Sequence, residues 1–408
     1  MKCRHCSAEL TFSLINLGSA PPSNAYLTGA TLLAPEKWFP LRVLVCTECW
    51  LVQTEDYNGA EELFAADYSY FSSFSSSWLA HAERYVADMA SLLGLNAASH
   101  VVEVAANDGY LLQYVKALGI KCLGIEPTAG TAAAARDRGI DIVQEFFGAR
   151  LASSLAAQGK SADLIVANNV LAHVPDINDF VTGFANLLKP QGVATFEFPH
   201  LLKLIQENQF DTIYHEHFSY LSLTVVQRIF SRNGLSVFDV EQLPTHGGSL
   251  RVYAQRSDTG KRKVEIRVSE LSDLERVAGM ESRNFYANFQ AMADCVKNDL
   301  VSFLIEAKSA GKTVAAYGAA AKGNTLINYA GVRSDLICVV SDLSPAKQGK
   351  YLPGSRIPIL AEGRLRELRP AFVVILPWNL RQEVMLQLDY IREWGGRFVT
   401  AVPNLTVH

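Results

Sequence analysis

Along this chain the spacing of hydrophobic residues switches repeatedly between short apolar runs and a helical period, and the switches mark its elements. Val101–Val104 is an apolar run bounded by a loop of small residues, Ala105-Ala106-Asn107-Asp108-Gly109, and reads as a buried strand. Leu111, Leu112, Val115 and Leu118 then recur at helical spacing. A second run, Cys122–Ile125, ends in Glu126, 23 residues after Glu103. The order is strand, loop, helix, strand, acid: one β-α-β unit. Ahead of it, Trp78, Ala82, Tyr85, Val86, Met89, Leu92 and Leu93 predict a lead-in helix with Gly94 as its stop. Behind it, 141–144, Ala162–Val166 and Val193–Phe198 predict further strands, with 187–192 as the turn into the last. Val225, Val226, Ile229 and Phe230 predict a helix stopped by Gly234, and Leu235–Val240 and Gly247–Tyr253 predict later strands.

The layout recurs towards the carboxyl end. Leu300, Phe303, Leu304 and Ala307 form a helical stripe that leads into a strand over Thr313–Tyr317. The turn Gly318-Ala319-Ala320-Ala321-Lys322-Gly323-Asn324 follows, then a strand over Leu336–Ser341 that ends at Asp342. Phe372–Leu376 predicts another strand before the loop Pro377-Trp378-Asn379. At the amino end, Leu41–Val45 and Trp50–Gln53 read as hairpin strands. The expected fold is α/β in three modules: 1–70, then 71–296 and 297–408, the last two each built on a Rossmann-like unit.

A length of 408 residues is too long for one ordinary domain, and a composition 49% hydrophobic and 19% charged suits a soluble protein with an ample core. The net charge of -4 offers no basic footprint, so nucleic acid is not an expected partner. No run reaches the ~18 apolar residues of a membrane helix, and the start MKCRHCSAEL has no apolar signal region. Seven cysteines in such a chain point to thiols or metal ligands, and a cytoplasmic enzyme is the default expectation.

Cys3-x-x-Cys6 and Cys46-x-x-Cys49 are two pairs of equal spacing, with 39 residues between them. Four thiolates with no open position suit structural Zn²⁺; two uninvolved reduced pairs or a redox disulfide are the alternatives. Cys122, Cys295 and Cys338 sit in apolar contexts and are expected in the core. Between the first two modules, the run from Asp67 through Tyr68 and Tyr70 to Phe74 is a Ser/aromatic linker, either a plug between domains or part of a substrate mouth. The first loop lets backbone approach a ligand, and Glu126 at the strand tip can accept both ribose hydroxyls, although the full dinucleotide glycine pattern is missing. The second loop, at a helix N-terminus, offers N–H groups and Lys322 to a phosphate, or is a packing turn with a solvated lysine. Asn168, Asn169 and His173 lie just past a predicted strand, at the carboxyl edge where ligands of open α/β sheets sit.

The densest polar block runs from Phe210 to Leu221 and holds Tyr214, His215, Glu216, His217 and Tyr220. An extended loop would point His215 and His217 the same way, open to a metal but without a carboxylate ligand. A structural role with backbone-bonded imidazoles is a second reading. Acid–base chemistry is the third: histidine titrates near neutral pH, and a neighbouring Glu or Tyr can fix its tautomer.

The E-x-A-x-N-x-G loop with its tip glutamate resembles the cofactor loop of class I S-adenosylmethionine methyltransferases. Taken with the four cysteines, EVAANDGYLL, NNVLAHVPD, FDTIYHEHFSYLS, HGGSLRVY and YGAAAKGN, the whole chain resembles the nucleotide-sugar C-methyltransferases, which make branched deoxysugars. The resemblance implies a structural-zinc module, a central methyltransferase domain and a C-terminal Rossmann-like domain, with a dTDP-linked 4-keto-6-deoxysugar between the last two. It implies His217 as base, with His173, Tyr214 and Glu216 on the sugar's keto and hydroxyl groups, and Tyr68, or Tyr70, reaching in from the N-terminal module. S-adenosylmethionine is then expected on Glu103, Ala105, Asn107, Gly109 and Tyr110, and on Glu126, Pro127, Asn168 and Asn169. The acceptor is expected on His215, Tyr220 and His246, and on Gly318, Ala320, Lys322, Gly323, Asn324 and Asp342 of the second loop. C-methylation, at C3, is the expected reaction; O- or N-methylation of another small molecule, or an inactive zinc-organised scaffold, are the competing readings. The oligomeric state is left open, a monomer included.

Overall fold

The computed structural model describes residues 1–57 and 71–408, and three sheets organise them. The first is antiparallel: β1 (Phe12–Ala20), β2 (Phe39–Val45) and β3 (Val52–Thr54). Leu41, Val43 and Val45 alternate along β2 into a core shared with Val296 and Leu300 of the helix Phe289–Ser309. Position 297 therefore lies inside that one continuous helix.

The central sheet begins with β4 (His100–Val104), β5 (Lys121–Ile125), β6 (Ile142–Val143), β7 (Ala162–Asn168) and β8 (Leu188–Pro199), all parallel. The chain then leaves this sheet: β9 (Ser219–Tyr220) pairs with β3, so the N-terminal sheet takes its fourth strand from the polar block. β10 (Leu235–Leu243) and β11 (Ser249–Arg256) return antiparallel, giving the order β10-β11-β8-β7-β4-β5-β6. β4 has β5 on one side and β7 on the other, which is the switch point where a crevice opens at the carboxyl ends.

The third sheet repeats this with β12 (Val314–Tyr317), β13 (Val340–Ser341), β14 (Ile359–Leu360), β15 (Phe372–Ile375), β16 (Arg397–Thr400) and an antiparallel β17 (Thr406–Val407). Its order is β14-β13-β12-β15-β16-β17, with its own switch beside β12. Among the described residues no helix is long and apolar enough to cross a membrane.

The lead-in helix spans Ser76–Leu93, with the Ser75 hydroxyl accepting the Trp78 N–H and Gly94 closing it at φ 62. Several expectations needed correction. Leu92 is 59% exposed, because the stripe through Val86 and Met89 continues to Leu93. The helix after β4 stops at Ala117, leaving Leu118 54% exposed at its cap. The turn expected over 187–192 is instead the irregular start of β8, entered directly from the helix Ile177–Leu187. Of the strand expected over Leu336–Ser341 only β13 forms, since Leu336 and Ile337 donate their N–H groups back to Arg333 O. Cys295 is exposed, on the face of its helix opposite Ala293, Val296 and Leu300, and Cys122 and Cys338 are half-buried.

Candidate active site

The four N-terminal cysteines converge. Their sulfurs all lie within 4.8 Å of one another, with Cys3–Cys49 and Cys6–Cys46 each 3.5 Å apart. Each knuckle is followed by a left-handed residue, Ser7 at φ 66 and Trp50 at φ 65, so both turns fold back identically. This is a closed four-thiolate donor set, which fits a structural zinc and leaves no position for substrate. The knuckles are also anchored: Arg228 Nη1 donates to Cys49 O at 3.1 Å, and His5 Nδ1 meets Asn178 Oδ1 at 2.8 Å.

A cavity of about 1460 Å³ runs along the carboxyl edge of the central sheet and reaches the loop after β12. Ala105, Asn107, Tyr110, Glu126, Pro127, Asn168 and Asn169 line one end. Ala105 (φ 58) and Asn107 (φ 50) are left-handed, a strain of order 1–3 kcal/mol each that surrounding contacts must hold. Glu126 does this by accepting the Asn107 N–H at 3.0 Å and the Thr128 N–H at 2.9 Å, while Asn107 Oδ1 accepts the Ser72 N–H at 2.9 Å. Glu126 keeps lone pairs for a diol beyond these bonds. Two residues expected here do not line the cavity. Gly109 packs beneath the loop, where a Cβ would stand 2.4 Å from Ile140 Cδ1. Glu103 is buried on the same face of β4 as Val101, and burial pushes its carboxyl well up, opposed by a hydrogen bond from Tyr110.

The middle of the cavity holds His173, Tyr214, Glu216 and His217. The segment is not extended, so the two histidines of the block part. His215 Nε2 lies 3.3 Å from Phe39 O and 3.2 Å from Pro40 O, at the seam with β2. Among the described residues the only metal-type cluster is the cysteine set, and the histidine-metal reading is not supported. His217 Nδ1 lies 2.9 Å from Thr212 O; a carbonyl only accepts, so this nitrogen carries the proton and Nε2 is left as the basic site. Burial, together with His173, holds the His217 pKa well below its usual value, and burial lowers His173 to about 4. Their ring centroids are 4.6 Å apart, and Tyr214 lies 4.0 Å from His217. β3 supports this loop from behind: Thr54 Oγ1 donates to His217 O at 3.1 Å, and the neighbouring Gln53 side chain reaches Cys3 Sγ at 3.3 Å. Tyr220 is buried in β9 and does not line the cavity.

Beside this cluster lies a polar network built on Glu197, Arg251, Thr245 and His81, which sequence reasoning did not single out, and it borders the expected residues Asn169 and His246. Glu197 is fully buried on β8 and accepts from Arg251 Nη2 at 2.8 Å and from Thr245 Oγ1 at 3.0 Å, with His81 Nε2 at 2.9 Å. His246, left-handed at φ 55, accepts from Asn169 Nδ2 at 3.1 Å, and burial lowers its pKa to about 4. A lone Glu, Arg or His inside an apolar strand or helix is the only hint a sequence offers of such a network.

At the far end Ala320 and Lys322 line the cavity. Lys322 Nζ donates to Asn379 Oδ1 at 2.8 Å and sits 4.8 Å over the Trp378 ring; burial lowers its pKa, with the Asp211 charge opposing. Gly318, Gly323, Asn324 and Asp342 lie behind the lining. Gly318 has φ +88 and a Cβ there would meet Pro377 Cδ at 2.5 Å, while one on Gly323 would meet Leu376 Cβ at 2.7 Å. These glycines serve close packing. Asn324 is buried in the helix Ala321–Tyr329, and Asp342 is occupied by backbone N–H groups of Ala319 and Ser344. Tyr68 and Tyr70 lie outside the described residues.

Family models match in three stretches: a methyltransferase domain over 78–240, a C-methyltransferase C-terminal domain over 244–403 and a zinc binding domain over 3–64. Among solved structures, magnesium protoporphyrin IX methyltransferase of Synechocystis PCC 6803 with bound S-adenosylhomocysteine is 15% identical, with 44% of this chain and 83% of that one covered and a TM-score of 0.36. The PH0226 protein of Pyrococcus horikoshii OT3 is 13% identical, with 50% and 100% covered and a TM-score of 0.39. Switch-point crevice, strained small-residue loop and tip glutamate, with the matching domain, define a class I S-adenosylmethionine-dependent methyltransferase with a Cys₄ zinc module. C-methyltransferase NovU of Streptomyces niveus is 33% identical over 403 residues, 99% of this chain and 96% of that protein. The chain belongs to this C-methyltransferase family. S-adenosylmethionine is its methyl donor, and its zinc-binding module brings Cys3, Cys6, Cys46 and Cys49 together as a four-thiol cluster that fits zinc.

Proposed function

We propose that the chain methylates carbon, at C3, of a dTDP-linked 4-keto-6-deoxysugar, with His217 as the base. The observation that carries this is the His217 tautomer: Nδ1–H bound to Thr212 O at 2.9 Å, which leaves the basic Nε2 on a residue that lines the cavity. Carbon becomes nucleophilic when a proton α to a carbonyl is removed, and a neutral, positioned imidazole suits that step. Tyr214 and His173 flank His217 and stabilise the enolate oxygen as it gains charge. Bound S-adenosylmethionine supplies an electrophilic methyl group at the Asn107–Glu126 end. Glu216 orients the sugar hydroxyls, and Lys322 offers its charge to the diphosphate. The N-terminal module carries the metal, the central module the methyl transfer and the C-terminal module the nucleotide. A reducing cytoplasm fits the zinc thiolates.

The test is incubation with S-adenosylmethionine and a panel of dTDP-4-keto-6-deoxysugars, read by mass and NMR. A methyl on carbon is the expected product. Omitting the cofactor in deuterated water isolates the first step: exchange of the α proton accompanies C-methylation, whereas O- or N-methylation does not require it. His217→Asn is expected to lower kcat by on the order of 10³-fold or more with unchanged cofactor affinity. Turnover of that variant near the unsubstituted rate would remove His217 as base.

A further inference from the structure

One side chain in the acid–base cluster comes from neither of the two large sheets. Between β1 and β2 the chain passes as an irregular strap, and Asn24 on it lines the cavity. Asn24 Nδ2 donates to Glu216 Oε1 at 2.6 Å. Two residues on, Tyr26 OH donates to Ala319 O at 2.6 Å, a carbonyl that also accepts Lys347 Nζ at 2.9 Å. Leu27 and Tyr351 then exchange backbone hydrogen bonds, at 3.0 and 2.8 Å. The strap is therefore pinned to the C-terminal module just beyond Asn24. An ionised carboxylate only accepts, so the amide nitrogen is the atom that must face it.

We propose that Asn24 is a positioning residue that holds the Glu216 carboxylate in one rotamer and in its ionised form, as an acceptor for a hydroxyl of the sugar. This rests on the role given to Glu216 above. A neutral donor is suited to the task. It favours the charged carboxylate without competing for the acceptor's diphosphate, as an ammonium would. Among the described residues, the titratable groups placed next to Glu216 are His173, whose ring contacts the Glu216 backbone, His217 next in the chain, and Tyr26, whose hydroxyl feels the Glu216 charge. Burial, with the Asp342 and Glu216 charges, holds Tyr26 protonated.

Asn24→Asp keeps the shape and reverses the interaction. Expected are unchanged cofactor affinity, a melting temperature lowered by roughly a few degrees at pH 8 that recovers as the pH falls, and kcat/KM at least tenfold lower at pH 8. Activity should recover as the pH falls and the introduced acid regains a proton to donate. A pH profile parallel to that of the unsubstituted protein, whatever its height, overturns the proposal, because a merely structural Asn24 would lower the curve without reshaping it. If that variant does not fold, Asn24→Ala and Asn24→Gln decide. A tenfold loss in kcat for alanine, with glutamine recovering at least a third of the rate, supports the proposal, and equal rates overturn it. Absence of turnover by the unsubstituted protein on every keto-sugar nucleotide is a failure of the earlier reading alone. The strap is then judged by carbon NMR of the Glu216 carboxyl, assigned with Glu216→Gln: a pKa at least one unit higher in Asn24→Asp supports it, and no change refutes it.

Discussion

The loops after β4 and β12 are built alike and put to different ends. In both, the strand paired alongside ends in an acid that braces two backbone N–H groups. Glu126 accepts from Asn107 and Thr128 at 3.0 and 2.9 Å, and Asp342 accepts from Ala319 and Ser344 at 2.7 and 2.8 Å. Each acid ties the residue two places on in its own chain to the neighbouring loop. Glu126, longer by one methylene, lines the cavity as well; Asp342 does not, and Lys322 lines it instead. One end presents a carboxylate and neutral amides, fit for hydroxyl groups, and the other an ammonium, fit for phosphate. The shared pattern thus encodes a backbone brace, and side-chain length decides whether the brace also meets a ligand.

The largest contrast is expected between the two acids. Glu126→Ala should weaken S-adenosylmethionine binding by on the order of 10²-fold, the worth of two charge-assisted hydrogen bonds at ~1.5 kcal/mol each. Asp342→Ala should leave that affinity within about twofold and act on folding and acceptor binding through its loop. Calorimetric titration of both checks this, and equal losses would erase the distinction. Next, Lys322→Met should raise the acceptor KM by roughly tenfold or more with cofactor affinity unchanged; a loss shared between both ligands would show that the ends are not separate.

Proton concentration should act in opposite directions through the buried histidines and through Lys322. His173 and His246 at about 4, and His217 well below 6.5, have folded pKa values depressed by burial. Above pH 6.5 folded and unfolded states are both neutral there, and this stability is intact. As pH falls below 6.5 the unfolded chain takes up protons that the folded chain does not, and stability declines by about 2 kcal/mol per imidazole by pH 5. At Lys322 the lowered pKa means that acceptor binding weakens as pH rises through it. Urea midpoints from pH 8 to 5 and acceptor KM from pH 7 to 10 read the two limbs. The smallest effect is Ala105→Gly: relief of the left-handed strain, set against glycine's greater backbone entropy, should stabilise by about 0.5 kcal/mol without altering turnover.

Much of this could be read from local pattern. β4, β5, the lead-in helix and the second β-α-β unit each follow from runs and stops confined to a few tens of residues, and both tip acids sit where that pattern places them. What escaped depends on partners far apart in the chain. Glu197 meets His81 from 116 residues away and Asn24 meets Glu216 from 192, and no periodicity reports such pairs. His215 and His217 shared one expectation until the turn between them sent one to the β2 seam and the other to the cavity. Gly109, Gly318 and Gly323 looked like ligand approaches and prove to be close packing against Ile140, Pro377 and Leu376. Loop glycines carry both meanings, and only neighbours separate them.

The pairing of β3 with β9 bears on how this protein can be recombined with its relatives. Gln53 faces Ser219, Val52 faces Tyr220, and Thr54 bonds the carbonyl of His217. A chimera that takes its first 57 residues from one parent and its Tyr214–Tyr220 block from another would join two edges that had never been matched. Acceptor specificity should therefore transplant only when both segments come from the same donor.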